Sequence, residues 1–358
     1  MTVPGVPRVI AYYLPQFHPI PENDEFWEAG FTEWTNVSAA RPMFRGHDQP
    51  KIPGELGFYD LRLPETRLAQ AELARAHGVE GFLYWHYWFG GRRVLERPFS
   101  EVLASREPDL PFCLGWANQS WSGVWHGAPD RILIEQTYLG PDDYEAHFEA
   151  LLPALRDSRY IRVEGQPLFL VFKPKDLPDS REFCSIWRKL AERAGLPGLH
   201  LVGLGKAQWN PSEWGFDASA LQGSLYPGLS RRLKGWRARV RGWRGRPVVH
   251  PYRAYVERGF PEVASALDYP VALSNWDNSP RSGTRGLVLQ GGTPELFRRH
   301  LREALTRVAD RRPEHRIVFL KSWNEWAEGN YVEPDRRFGR AYLEVIRDEV
   351  RAAASARG

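Results

Sequence analysis

Glu325 and Glu328 stand three residues apart in the run Lys321-Ser322-Trp323-Asn324-Glu325-Trp326-Ala327-Glu328-Gly329. The segment before them, Ile317-Val318-Phe319-Leu320, is apolar throughout and reads as a buried strand. Two carboxylates placed this way can divide acid and base work. A protonated one releases a leaving oxygen, while an ionised one generates or replaces the nucleophile. Crowding by each other and by Trp323 and Trp326 pushes their pKa values apart, which assigns the roles. That is the chemistry of sugar transfer. An isolated Glu-x-x-Glu more often marks two surface glutamates at the start of a helix. The strand end, the flanking rings and Asn324 favour the catalytic reading.

Such a pair needs a frame, and β-branched or aromatic runs alternate with amphipathic segments along the whole chain. Strands are expected near 8–13, 79–85, 111–116, 167–173, 199–204, 217–222, 270–276 and 316–323. Helices are expected at Pro64 to His77, Pro141 to Arg156, Pro294 to Val308 and Arg340 to Ala354. The first three open on proline, which fits the first helical turn, and Gly78 follows the first of them. Eight strands each followed by a helix predict a single (β/α)8 TIM barrel, one catalytic domain over residues 1–358. The least distinct stretch is 205–250, where the helix between strands five and six is barely visible. The first βα loop, Leu14 to about Leu63, is long but rich in proline and aromatics, so it should be ordered.

In such barrels the chemistry sits on the loops at the C-terminal strand ends. Of 15 tryptophans, ten map to that face: Trp27, Trp34, Trp85, Trp88, Trp116, Trp121, Trp125, Trp276, Trp323 and Trp326. An aromatic core would not bias them to one end, whereas flat apolar rings beside polar groups suit the C–H face and hydroxyl rim of a sugar. Trp85 and Trp116 are as readily core residues. Tyr13, Gln16, Glu33, His86, Asn118, Lys173 and Asp277 converge on the same face, although each could be a satisfied structural group. Together with Trp34, Trp88, Trp121, Trp276, Trp323, Asn324 and Trp326 they are the expected substrate contacts.

Other function classes lack support. The ten His show no zinc spacing, and no P-loop, Gly-x-Ser-x-Gly elbow or Gly-x-Gly-x-x-Gly occurs. The absence of Asp-x-Asp weakens a metal-dependent reaction with a sugar-nucleotide donor. No metal and no cofactor are expected. With 42% hydrophobic and 26% charged residues the chain reads as globular. No apolar run approaches the roughly 20 residues of a membrane span, and no signal-peptide pattern opens the sequence. Cys113 and Cys184 lie in apolar contexts, so a disulfide framework is not expected and a cytoplasmic location fits.

Several segments together carry a family resemblance. Ala11-Tyr12-Tyr13-Leu14-Pro15-Gln16-Phe17-His18-Pro19-Ile20-Pro21-Glu22-Asn23-Asp24 resembles the opening of the WbsX-like proteins. So do Gly30-Phe31-Thr32-Glu33-Trp34-Thr35-Asn36-Val37, His86-Tyr87-Trp88-Phe89, Trp116-Ala117-Asn118, Trp276-Asp277-Asn278 and the run from Trp323 to Gly329. The resemblance covers nearly the whole chain. That group is often described as glycosyltransferases of polysaccharide biosynthesis, and it is similar to glycoside hydrolase family 99, the endo-α-mannosidases. The resemblance implies a (β/α)8 barrel without metal, acting with retention at an α-linked sugar. It implies that Glu325 deprotonates the substrate 2-hydroxyl to give a 1,2-anhydro sugar, and that Glu328 is the acid/base on the leaving group and then on water. Ala327 departs from the His common in the mannosidase motif, which leaves the two acids intact and leaves a mannose-type glycan as one candidate substrate, not a specificity the resemblance implies.

One feature stands apart from the barrel. Between Arg231 and Arg246 lie Arg232, Lys234, Arg237, Arg239, Arg241 and Arg244, with Trp236 and Trp243 among them and no acid. A solvated loop is the plain reading. The functional one is peripheral contact with an anionic membrane surface or a lipid-linked glycan. Nucleic acid ranks last, because no binding motif accompanies the charge and the net charge is only +4. The partner expected is therefore an oligosaccharide or polysaccharide. Three functions compete: a glycoside hydrolase or transglycosylase, a glycosyltransferase of O-antigen or capsular polysaccharide assembly, and a non-catalytic glycan-binding barrel. Binding alone needs no acid pair, which counts against the third.

Overall fold

A computed structural model describes residues 6–123, 128–205, 209–225, 245–261 and 267–356. Eight strands form the barrel: β1 Arg8–Tyr13, β2 Gly81–Phe89, β3 Phe112–Trp116, β4 Gln166–Val171, β5 His200–Gly205, β6 Ala218–Leu221, β7 Asp268–Leu273 and β8 Ile317–Lys321. Each pairs in parallel with its neighbour in sequence. The ring closes between first and last, with Val9 opposite Val318. This is the (β/α)8 barrel that the alternating pattern predicts.

The connections follow from local sequence. After β1 comes α1 (Pro64–Ala76), after β2 α2 (Arg97–Ser105), after β3 α3 (Pro141–Arg156) and after β4 α4 (Ser180–Arg193). Then α5 (Tyr252–Arg258), α6 (Pro294–Val308) and α7 (Ala341–Ser355) follow β6, β7 and β8. Proline takes the first turn of α1, α2, α3 and α6, where its missing N–H costs nothing. Side-chain caps start two of these helices: Asp179 accepts from the Glu182 amide at 3.0 Å, and Thr293 from the Leu296 amide at 3.3 Å. Between β5 and β6 the described residues of the crossover form a 3-10 turn, Pro211–Trp214, which is why the sequence signal fades there. The basic residues from Arg231 to Arg244, with Trp236 and Trp243, lie outside the described residues, as does Trp125.

Strands of a parallel barrel are covered on both faces, and every residue of β1 is buried. One face fills the barrel, where Tyr12 meets Trp85 and Phe319. The other meets the helices, where Trp187 of α4 packs on Phe169 of β4. The long loop after β1 is ordered because it carries its own structure, the short helices Pro21–Phe26 and Glu33–Ala39. Thr32 caps the second helix through the Trp34 amide, and Thr35 returns the bond to the Thr32 amide, a capping box. Trp34 Nε1 donates to Tyr59 O at 2.7 Å, which ties the two halves of the loop together. Among the described residues no helix is long and apolar enough to cross a membrane. Cys113 and Cys184 are both free and buried.

Candidate active site

At the C-terminal mouth, β8 ends on Lys321 and the chain runs through Asn324 and Glu325 into a 3-10 turn, Trp326–Glu328. Asn324 fixes the start of this segment. Its Oδ1 accepts from the Leu14 amide at 2.8 Å and its Nδ2 donates to Leu14 O at 3.0 Å, stitching the end of β8 to the end of β1. Ser322 Oγ accepts from the Glu325 amide at 2.9 Å and donates to Asn330 O at 2.8 Å. Gly329 closes the turn at φ +57°, where a side chain would run into Asp277. The result is that both carboxylates look into one cavity.

That cavity has a volume of about 270 Å³, and its walls are Tyr12, Trp27, Trp85, Tyr87, Trp121, Phe172 and Trp276, with polar contributions from Gln16, Gln119 and Lys321. Gly115 leaves the room in which Trp85 lies, since a Cβ there would sit 3.0 Å from the ring. Lys321 Nζ stands 4.6 Å from the centre of the Trp276 ring.

Arg281 occupies the centre of the acidic wall. Its Nη1 donates to Glu328 Oε1 at 2.9 Å, its Nη2 to Glu325 Oε2 at 3.0 Å and its Nε to Glu33 Oε2 at 3.1 Å. All four side chains are nearly enclosed, with 3–11% exposure. Burial pushes the Glu325 carboxyl up to about 7, with Glu328 adding repulsion and Arg281 opposing. Burial likewise raises Glu33 against the pull of Arg281. For Arg281 itself burial favours loss of the proton, but three carboxylates more than reverse this and hold it above the usual guanidinium range.

The sequence-predicted contacts divide into three groups. Gln16, Glu33, Trp121 and Trp276 line the cavity with Glu325 and Glu328. Asn118 and Lys173 line a polar cleft of about 350 Å³ that shares Gln119 and Ser122 with it. Within that cleft Asn118 Oδ1 accepts from the Lys173 amide at 2.7 Å.

The rest point elsewhere. Tyr13 faces α1 and donates to Gln70 at 2.7 Å, while Tyr12 takes the inward place. His86 and Trp88 face α3, where His86 bonds His147 at 2.9 Å and Trp88 Nε1 donates to Asp143 at 3.0 Å. Burial drives the His86 pKa down to about 3, so it is neutral. Trp34, Trp323 and Trp326 are core rings, and Asn324 is the stitch already described. Asp277 lies behind the cavity wall, accepting from His47 at 2.8 Å and Gln49 at 2.7 Å.

Sequence reasoning missed Arg281, Tyr12, Tyr87 and Lys321. Arg281 had one available signal: it follows Trp276-Asp277-Asn278 in the loop after β7, on the catalytic face. Among the described residues no group of three or more His, Cys, Asp or Glu is placed to hold a metal ion.

A family profile described as glycosyltransferase WbsX matches residues 9–346. The chain belongs to the WbsX glycosyltransferase family. It is a family of carbohydrate-active enzymes. Two proteins of Xanthomonas campestris pv. campestris, both called uncharacterized protein WxcX, are 37% identical over 361 residues, which is 96% of this chain. The chain spans about half the length of these relatives, 50% in each case. Among solved structures, a glycoside hydrolase-like protein superposes with a TM-score of 0.60 at 13% identity, covering 98% of this chain and 95% of the other. A GH99 endo-α-mannosidase from Bacteroides thetaiotaomicron, in complex with bis-tris propane, gives 0.58 at 13% identity over 98% of each chain. At that identity both likenesses establish the shared fold.

Proposed function

We propose that this WbsX-family barrel cleaves or transfers an α-linked sugar with retention, through a 1,2-anhydro intermediate, with Glu325 as the base and Glu328 as the acid/base. The observation that carries this is the placing of both carboxylates on one guanidinium, facing an aromatic-walled cavity. A base near 7 is strong enough to take a hydroxyl proton and still substantially ionised at neutral pH. Trp27, Trp85, Trp121 and Trp276 offer apolar faces to sugar C–H groups, and the polar cleft past Gln119 and Ser122 receives the next sugar of the chain. Glu328 then activates water, giving hydrolysis, or a sugar hydroxyl, giving transfer. The family description favours the second outcome, with a polysaccharide or lipid-linked glycan as acceptor.

A conventional retaining pair would instead attack carbon one with the second carboxylate, the two groups lying roughly 5 Å apart. The mechanism proposed here requires a free 2-hydroxyl. The test begins with a panel of α-linked oligosaccharides and activated donors, followed by 2-deoxy and 2-fluoro analogues of whatever is turned over. The analogues should bind without reacting, and no sugar should become attached to Glu325. A 2-fluoro glycosyl adduct on Glu325, located by peptide mass spectrometry, would replace this mechanism with the covalent one.

A further inference from the structure

We propose that Arg281 is the shared counter-ion of the acid pair, a positioning residue that grips Glu325 and Glu328 on separate arms so that negative charge can pass from one to the other without moving the cation. The inference rests on the reading of those two residues as base and acid. It starts from the fork geometry: Nη2 on Glu325, Nη1 on Glu328, and Nε on Glu33 from the side. A guanidinium can hold three carboxylates this way because its donors are coplanar and fixed, whereas an ammonium is a single point of charge.

What holds Arg281 is also visible. It sits on a single helical turn, Ser279–Ser282, and Asp277 anchors that turn. Asp277 Oδ1 accepts from the Ser279 amide at 3.0 Å and from Ser279 Oγ at 2.6 Å, while Oδ2 takes His47 and Gln49. The Asp277 amide donates to Glu328 O at 2.5 Å. One buried aspartate therefore registers the arginine turn against the glutamate turn from outside the cavity lining.

The balance of the step gives the arrangement its use. The proton of the substrate 2-hydroxyl goes to Glu325, and O2 closes on carbon one. The bond from carbon one to the leaving oxygen breaks with its electron pair, and that oxygen takes the proton of Glu328. The pair carries one negative charge before and one after, moved from Glu325 to Glu328. A cation bonded to both feels little change, and no reorganisation is needed as the charge moves. A cation on one carboxylate alone would favour one side of the step. Among the described residues, the other ionisable groups lining the cavity with the pair and Arg281 are Tyr12, Glu33, Tyr87 and Lys321.

The first arm of the test needs no substrate. Glutamate carrying a ¹³C label in its side-chain carboxyl, followed by infrared difference titration, reports the Glu325 and Glu328 midpoints in the wild type, R281K, R281Q and E33Q. E325Q and E328Q spectra assign the bands. Without the cation the pair should titrate at least one pH unit higher in R281Q, and by a smaller upward shift in R281K. E33Q removes a competing anion from the same guanidinium, so its midpoint should move the opposite way, to lower pH. Should R281Q fail to fold, R281K and E33Q carry the test through the signs of their shifts. Unchanged midpoints in both would overturn the proposal. The pH profile of kcat should move in the same directions, whereas a purely structural arginine would lower the folded fraction and leave the profile in place. Shifted midpoints together with full turnover by E325Q would overturn the catalytic reading and not the counter-ion geometry.

Discussion

Glu325 and Glu333 belong to the same loop and are both buried, and burial pushes each carboxyl to about 7. Their surroundings differ. Glu333 lies outside the barrel wall, where Gln70 Nε2 donates to Oε1 at 2.6 Å, and Tyr59 OH and Trp326 Nε1 donate to Oε2 at 2.9 and 2.6 Å. Three neutral donors surround it, and the cavity lies elsewhere. Glu325 instead shares a cation with two like charges and faces open space. A perturbed carboxyl is therefore no mark of catalysis by itself. Open space in front of the carboxylate, together with competing like charges, separates the proposed base from the structural glutamate. Glu333 serves the site indirectly, because the Trp326 ring it holds stacks on Tyr331 at 3.7 Å and seats the turn that carries Glu328.

The largest effect should come from the cavity side. E325Q and E328Q should each lower turnover by about 10²–10⁴-fold, the usual worth of a positioned acid or base. Their melting temperatures should hold or rise, because each change removes a like charge while Arg281 keeps two partners. E333Q, assayed per folded molecule, should stay within a few-fold of wild type. An equal loss in E333Q would erase the distinction between the two glutamates.

Stability should reverse the order. E333L strands the donors of Tyr59, Gln70 and Trp326 at about 1–3 kcal/mol each, so chemical denaturation should register a loss of at least about 3 kcal/mol. E325L removes one of the three carboxylates on Arg281 and leaves the other two in place, so it should cost less than E333L. Comparable losses would mean that Glu325 is structural too.

The pH dependence sharpens the comparison further. A carboxyl raised to about 7 when folded, against an unfolded value near 4.5, binds its proton more tightly in the native state. Its stabilising contribution is complete below pH 4.5 and is lost as pH rises to 7, with a slope of at most about 1.4 kcal/mol per pH unit for each group. E333Q and E325Q should each flatten part of that slope. Only E325Q should also abolish the rise of kcat/KM with pH through about 7, which reports ionisation of the base. Buried histidines such as His86 contribute the opposite slope to wild type and variants alike, so the readout is the difference between them. A variant that keeps the wild-type slope from pH 4.5 to 7 would contradict its assignment. W326F removes a hydrogen-bond donor to Glu333 and should cost about 1–3 kcal/mol, with the smallest expected loss of rate.

The amino-acid sequence by itself determined the strands of the barrel, the order within its first loop and the location of Glu325 and Glu328 at the end of β8. Each of these follows from local information: short apolar runs, prolines at helix starts, and polar residues where an apolar run stops. Which way the side chains point was not legible. In a parallel barrel both faces of a strand are buried, so the alternation that would separate Tyr12 from Tyr13, or Tyr87 from His86, leaves no trace in hydrophobicity. Arg281 was equally hidden. It is one of 48 basic residues, and its partners lie 44, 47 and 248 positions away, at the ends of β8 and in the loop after β1. Only closure of the ring brings those loops over one mouth, and only there does an arginine that the sequence leaves unremarkable become the cation on which both acids rest.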